Sequence, residues 1–452
     1  MYKPYPKYRS SRIEWLEKVP EHWDVKRMRY LFRFQSGGTP DTRHVEFWEG
    51  TLPWISAKDM RSLVIEDSED HISADAVGAS ATSVVPASSL LILTRSGILR
   101  HSLPVAITAQ DVAINQDVKG CVPVAGVDPL FVAYLITGNQ TQLLTLWRQQ
   151  GATVESLDFE SIKATDIPLP PLSEQRAIAD FLDAQTAKFD ALVSNNRILI
   201  EKLKEKRNAL ISRTVTRGLP PHAARAAGLD PHPRLKPSGI EWLGDVPEHW
   251  GIVAVRRRAR RVQTGTTPPT AEVRYYDDGT IPWYGPSSFE DEIVLTKPVK
   301  MLHEWAVREG AARLFAAGAT LVVTIGATAG KIASLSKPGS CNQQITAIEW
   351  DSHHVHPRFA TYQLKRLEMS LRAVAPSATL PILKQAEIAN IALALPEQSE
   401  QKLISAYLDR ETTKIDRLIA KIESAIDRLH EYRTALITAA VTGKIDVRET
   451  AA

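Results

Sequence analysis

Only two cysteines, Cys121 and Cys341, occur in 452 residues. That scarcity excludes a disulfide framework and a zinc site built from four thiolates, and it predicts a reducing compartment. Charge of one sign is also scarce. Lys and Arg number 55 against 52 Asp and Glu, which excludes the basic coat of a bulk nucleic-acid or membrane binder while still allowing a local basic groove. No apolar run approaches the roughly 18 residues of a membrane span. The opening MYKPYP has no apolar core of the kind a secretory leader carries. Together these absences predict a soluble, cytoplasmic chain without membrane contact. At 44% apolar residues it has material for several cores, and its length suggests two to four domains.

Catalytic motifs are missing as well. There is no H-E-x-x-H, no Cys-x-x-Cys, no G-x-G-x-x-G behind a strand and no Asp/Asn-Pro-Pro-Tyr/Phe tetrapeptide. Gly326 to Ile332 reads GATAGKI. A phosphate-cradling P-loop needs one more residue and a hydroxyl after the lysine, so a tight strand-to-strand turn is the better reading. His353, His354 and His356 cluster beside Asp351, and a polar loop explains them better than a metal site does. The sequence predicts no catalytic residues, no metal ligands and no cofactor held by this chain.

What is present is a duplication. Ile13–Trp23 reads IEWLEKVPEHW and Ile240–Trp250 reads IEWLGDVPEHW, with nine of eleven positions identical at an offset of 227. Further pairs follow in order. Gly38-Thr39-Pro40 matches Gly265-Thr266-Thr267-Pro268, Pro53-Trp54 matches Pro282-Trp283, and Asn115-Gln116 matches Asn342-Gln343. Ser173-Glu174-Gln175 matches Ser399-Glu400-Gln401 at offset 226. Between these landmarks, Ala57–Ser89 and Pro286–Gly318 share almost nothing. A fixed frame with divergent interiors predicts one architecture presenting two different surfaces.

Each half closes on a long helix. After Pro170-Pro171, Ser173 is a suitable N-cap, and apolar residues then recur with period 3.5 through Ile178, Leu182, Gln185, Phe189, Leu192, Asn196, Leu199, Leu203, Lys206 and Leu210. The second half repeats the series as Ile404, Leu408, Glu411, Ile415, Leu418, Ile422, Ala425, Leu429, Tyr432 and Leu436. A helix of about 44 residues is roughly 65 Å long, and its apolar stripe must be buried. Antiparallel pairing of the two copies is the simplest solution, with Gln185, Asn196, Lys206 and Glu411 setting the register. The expected boundaries are a globular domain at 1–169, a spacer helix at 170–217, a linker at 218–237, a second domain at 238–394, a second helix at 395–443 and a tail at 444–452. Within the domains, Ser89–Thr94 and Ala319–Ile325 read as buried strands, and Asp128–Thr137 and Pro357–Leu367 as helices. The fold class is α+β, with two similar mixed α/β domains.

IEWL-x-x-VPEHW at the head of each half, the Gly-Thr-Pro and Pro-Trp landmarks, IPLPPLSEQRAIADFLD at Ile167–Asp183 and ALITAAVTGKIDVR at Ala435–Arg448 carry a resemblance. Over essentially its whole length the chain resembles the specificity subunits of type I restriction-modification systems. The resemblance implies two target-recognition domains, each reading one half of a bipartite, asymmetric site on double-stranded DNA. It implies paired helices that act as spacer and as docking surface for two DNA adenine methyltransferase subunits, with ATP-dependent restriction subunits as further partners. S-adenosylmethionine, ATP and Mg belong to those partners. A methylation-only complex or a non-catalytic coiled-coil scaffold is the alternative. The pattern departs from itself in two places. Thr94–Arg100 replaces the Gly326 loop, and Pro168 becomes Ala394.

Base reading uses Arg or Lys on guanine, Asn or Gln on adenine, and Ser or Thr as adaptable partners. The expected DNA-binding residues are Lys58, Arg61, Arg95, Arg100 and Gln116 in the first domain. In the second they are Ser287, Ser288, Lys331, Gln343 and Gln344. Ser173, Glu174, Gln175, Ser399, Glu400 and Gln401 are expected to cap the helices, and the resemblance implies partner docking there. Asn115 and Asn342, being shared, read as turn residues. Arg256, Arg257, Arg258, Arg260 and Arg261 form a basic run, partly mirrored by Arg29 and Arg33, suited either to phosphate contact or to a solvated face.

Overall fold

The computed structural model describes residues 2–149, 154–368 and 382–448; tail residues 449–452 lie outside them. Two compact units emerge. The first comprises residues 1–197 and 423–452, the second residues 198–422. Each long helix is therefore shared, giving one half of its length to each unit.

In the first unit the strands of the two larger sheets are β1 (Phe32–Ser36), β2 (Leu52–Ile55), β3 (Val64–Ile65), β4 (Asp70–Ile72), β5 (Ser83–Val85), β6 (Leu90–Leu93), β7 (Val105–Thr108), β8 (Val112–Ile114) and β9 (Val118–Pro123). They form a five-stranded sheet in the order β1-β9-β6-β7-β3 and a four-stranded sheet in the order β4-β2-β8-β5. β6 and β8 are buried along their whole length, which is why they read as unbroken apolar runs rather than alternating ones. Helix α1 (Pro129–Gly138) packs on the larger sheet, and Asp128 caps its N-terminus by accepting from Phe131 N. The long helix α2 (Leu172–Arg217) follows.

The second unit repeats the plan. Its strands are β10 (Ala259–Thr264), β11 (Ile281–Tyr284), β12 (Val294–Leu295), β13 (Lys300–Leu302), β14 (Thr320–Val323), β15 (Ile332–Leu335), β16 (Ser340–Cys341) and β17 (Ile345–Trp350). The five-stranded order β10-β17-β14-β15-β12 matches the first unit strand for strand. In the smaller sheet, β13-β11-β16, the place of β5 is reduced to a single bridge between Phe315 and Gly339. Helix α3 (Pro357–Lys365) and the long helix α4 (Gln398–Val441) follow, as α1 and α2 do in the first unit. The frame thus recurs in both sheets, with the second sheet shortened at one edge.

Both long helices begin and end within a few residues of their expected limits, but two details differ. Ser173 lies inside the first turn instead of capping it, because α2 starts at Leu172 and the amides of Glu174 and Gln175 bond to Pro171 O at 2.9 Å. Partway along, every second seam position is taken by the next residue, while Leu203, Ile422 and Leu436 are buried as expected. Leu192 and Leu199 are 49% and 44% exposed, whereas Val193, Ile200 and Arg207 are buried. α4 does the same: Leu418 and Tyr432 are exposed, and Ile419 and Ile426 are buried. Adjacent apolar residues, Leu192-Val193 and Leu418-Ile419, satisfy a 3.5 period in either register, so hydrophobicity alone could not choose between them.

Within each unit the helix halves meet antiparallel. In the second unit Arg207 Nη1 donates to Asp416 Oδ1 at 2.7 Å. In the first, Arg433 Nε approaches Asp190 Oδ1 at 3.6 Å, beside an edge-to-face contact between Phe189 and Tyr432 at 5.6 Å. Shifting Arg207 and Asp190 by 226 gives Arg433 and Asp416, so one ion pair is written twice with its helices exchanged. Two of the expected register residues do not contribute in this way. Lys206 is exposed, and Glu411 bonds along its own helix to Lys414 and Arg410.

Candidate nucleic-acid interface

In both units the shared landmarks converge on one junction. Gly37 lies so close to β8 that a Cβ would sit 1.9 Å from Ile114 O. At Gly265 a Cβ would sit 2.1 Å from Cys341 O. Only glycine allows that approach. Next to it, Trp54 Nε1 donates to Gly38 O at 3.1 Å and Trp283 Nε1 to Thr266 O at 3.0 Å. The Thr39 hydroxyl donates to Gln116 Oε1 at 2.7 Å, and Thr267 makes the same bond to Gln343. Asn115 Oδ1 accepts from Asp117 N and Val118 N, and Asn342 Oδ1 from Gln344 N. These are Asx turns, the role expected of two shared asparagines. With Oε1 held by threonine, each exposed glutamine keeps its amide NH2 as a free-facing donor.

A second shared junction ties each domain to the start of its long helix. Glu174, 5% exposed, accepts from Tyr5 Oη at 2.6 Å, Trp23 Nε1 at 3.0 Å and His22 Nε2 at 2.8 Å. Burial, and then this hydrogen bond, push the Tyr5 hydroxyl pKa well above the tyrosine range. Glu400 repeats the arrangement with Trp250 Nε1 at 3.1 Å and His249 Nε2 at 2.8 Å. Gln175 bonds to Asp128 N, Gly126 O and Pro170 O, and Gln401 to His356 N, His354 O and Pro396 O. The expected capping and docking side chains Glu174, Gln175, Glu400 and Gln401 therefore act inside the fold, with their polar atoms already partnered. Ser173 and Ser399 are exposed. Downstream, Tyr134 Oη bonds to Asp183 and Thr186, and Tyr362 Oη to Asp409 and Thr412.

The surfaces on this frame differ. In the first unit Lys58 Nζ donates to Asp70 Oδ2 at 2.8 Å and approaches Glu69 Oε2 at 3.1 Å. Those bonds raise its pKa. Arg61 lies 3.9 Å from the same Glu69, and Arg100 3.4 Å from Glu155. Arg95 and Gln116 are exposed. In the second unit Ser287 and Gln343 are exposed, but Ser288 is buried. Lys331 Nζ donates to Phe289 O at 2.8 Å, and Gln344 Oε1 accepts from Asn342 Nδ2 at 3.0 Å. Lys331 and Gln344, expected as base readers, are half-buried and bond within the unit, and the buried Ser288 hydroxyl meets no hydrogen-bond partner among the described residues. The GATAGK segment is a turn between β14 and β15, with Gly326 and Gly330 at φ +104 and +91; no L side chain suits those angles. The equivalent place in the first unit is the 3-10 turn Gly97–Arg100. The histidine cluster is a loop, as expected: His354 Nδ1 bonds to Asp351, and His356 Nδ1 to Ser405. Among the described residues no group of three or more His, Cys, Asp or Glu is placed to hold a metal ion, and no helix is long and apolar enough to cross a membrane.

The sequence landmarks had marked both junctions without showing what they join. The signal for Tyr134, Asp183 and Thr186 was their recurrence in the second half. Arg207 had no signal in the apolar series, because a buried arginine breaks that pattern.

Comparison with known proteins agrees with this frame. The model of the type I restriction modification DNA specificity domain matches residues 20–202 and 260–428, and the chain belongs to that family. It is 34% identical over 194 residues to the EcoR124I/EcoR124II specificity subunit of Escherichia coli, a match covering 43% of this chain and 46% of that one. Against the MjaIX specificity subunit of Methanocaldococcus jannaschii it is 23% identical, over 96% of this chain and 95% of the relative. A solved chain from work on complex assembly and conformational transition of the type I R-M system shares the fold, with a TM-score of 0.64 at 17% identity over 94% of this chain and 99% of that one. The HsdS subunit from Thermoanaerobacter tengcongensis aligns with a TM-score of 0.50 at 15% identity, over 94% and 98% of the two chains.

Proposed function

We propose that each unit reads one half of a bipartite, asymmetric DNA site for a type I restriction-modification complex, and that the long helices dock two adenine methyltransferase subunits. The observation that carries this reading is the contrast within each unit. The same glycine, tryptophan, threonine and glutamine pin the frame in both, while the loops on it carry different chemistry. A pair of readers for two different half-sites needs that combination. Arg95 and Gln116 in the first unit, and Ser287 and Gln343 in the second, offer exposed polar ends for base edges. Lys58, Arg61 and Arg100 reach bases by exchanging their carboxylate partners for DNA. Ser173, Ser399 and the outward helix faces are the docking surface. S-adenosylmethionine, ATP and Mg act on the partner subunits, in the cytoplasm.

The test is purification of the tagged full chain from its native host, with mapping of methylated adenine in the host genome. We expect an adenine methyltransferase at two copies per chain and a two-part methylated motif. Arg95→Ala with Gln116→Ala should relax the motif in one half only. A chain that purifies alone, or a motif unchanged in both halves, overturns the reading.

A further inference from the structure

Four arginines stand apart from the recognition loops. Arg29 and Arg33 recur at offset 227 as Arg256 and Arg260. Arg29 and Arg256 lie in equivalent 3-10 turns, Met28–Tyr30 and Val255–Arg257. Arg33 is on β1 and Arg260 on β10, the edge strands of the two five-stranded sheets. All four are exposed. Carboxylates on the adjoining strands are engaged with other cations: Asp24 faces Lys26 at 3.7 Å, Asp166 faces Arg27 at 3.7 Å, and Glu349 faces Arg261 at 2.9 Å.

What lies between the repeated arginines is not repeated. Exposed Tyr30 becomes exposed Arg257, and buried Leu31 and Phe32 become half-buried Arg258 and Ala259. A protein partner bound in identical copies needs matching apolar contacts, and here the exposed ring of Tyr30 is replaced by a charge. A phosphodiester needs only the guanidinium heads, at a spacing that does not depend on base sequence.

We propose that Arg29 with Arg33, and Arg256 with Arg260, grip the DNA phosphate backbone, one pair per unit, and supply the sequence-independent part of binding. This rests on the reading of the chain as a DNA-specificity subunit. Each phosphate neutralised contributes about 0.9 to the slope of log affinity against log salt, so a pair contributes about 2.

The experiment uses the full chain with its co-purified methyltransferase. Binding is measured from 50 to 200 mM salt on a duplex carrying the mapped motif and on one of unrelated sequence. For Arg29→Gln with Arg33→Gln, and for Arg256→Gln with Arg260→Gln, the slope should fall by about 2 on both duplexes. Wild type should then lose about tenfold more affinity than the variant across that salt range, with the preference between duplexes unchanged. An unchanged slope overturns the proposal. A changed preference assigns these arginines to base reading, and loss of the methyltransferase from the variant assigns them to protein docking; both outcomes overturn it too. A wild-type complex with no preference between the duplexes refutes the underlying function instead.

Discussion

Replacing Glu174 with alanine tests whether the start of the long helix is held by one buried carboxylate. The substitution leaves Tyr5 Oη and Trp23 Nε1 as buried donors without an acceptor, and frees the half-exposed His22. An orphaned buried donor costs about 1–3 kcal/mol, and the histidine pair adds less than about 1 kcal/mol at its exposure. The total is about 4 kcal/mol. For a unit of this size each kcal/mol moves the melting temperature by about 2–4 °C, so Glu174→Ala should lower the transition of the first unit by about 10 °C. Glu400 holds Trp250 and His249 but no tyrosine, so Glu400→Ala should cost about half as much, in the second unit. Glu174→Gln keeps one acceptor oxygen and should fall between. Differential scanning fluorimetry reads the shifts, and hydrogen exchange by mass spectrometry assigns them to residues 2–149 or 235–368. Equal shifts for the two alanine variants, or a shift below about 2 °C for Glu174→Ala, would refute the reasoning.

Three further outcomes are expected. Gly37→Ala and Gly265→Ala each drive a Cβ into a carbonyl at about 2 Å, so each should cost about 2–3 kcal/mol by urea titration and disorder the adjacent glutamine, read as lost duplex preference. In double-mutant cycles, the pairs Arg207/Asp416 and Arg433/Asp190 should each show coupling of about 1 kcal/mol or less, larger for the shorter first pair; coupling above about 3 kcal/mol would contradict the half-exposed aspartates. Burial pushes the Cys341 thiol up to about 12 and raises that of Cys121. Neither should react with a disulfide reagent at pH 8 until the chain unfolds. Because the unfolded thiols ionise first, near the ordinary value of about 8.5, the stability owed to the neutral thiols is complete below that pH and declines as pH rises toward 12. Cys341→Ala should flatten that decline in urea midpoints measured from pH 8 to 10.

Much of this was legible in the sequence because the chain is written twice. Recurrence marked Trp23 and Trp250, Gln116 and Gln343, and the helix starts, since each needs one residue type at one place in the frame. The interiors resisted. Lys331 resembles a phosphate ligand in the string GATAGK, yet its amine reaches back to Phe289 O, a partner 42 residues away that no local pattern indicates. Glu174 and Gln175 read as a polar helix start open to solvent. Their burial comes from the loop at Gly126–Asp128 and the segment at Tyr5–Trp23, both remote in sequence. The seam register likewise needed the partner helix.

The sharing of each helix between units has a consequence for biosynthesis. The second unit is one continuous stretch, residues 198–422, whereas the core of the first includes Leu436, Ile437, Ala440, Val441 and Val447. On the ribosome, where domains fold as their residues emerge, the amino-terminal domain is finished last. It waits, with the face that receives those five side chains still bare, until residue 447 has emerged. A premature stop near residue 425 would therefore damage the part of the protein made first and leave the later-made part whole.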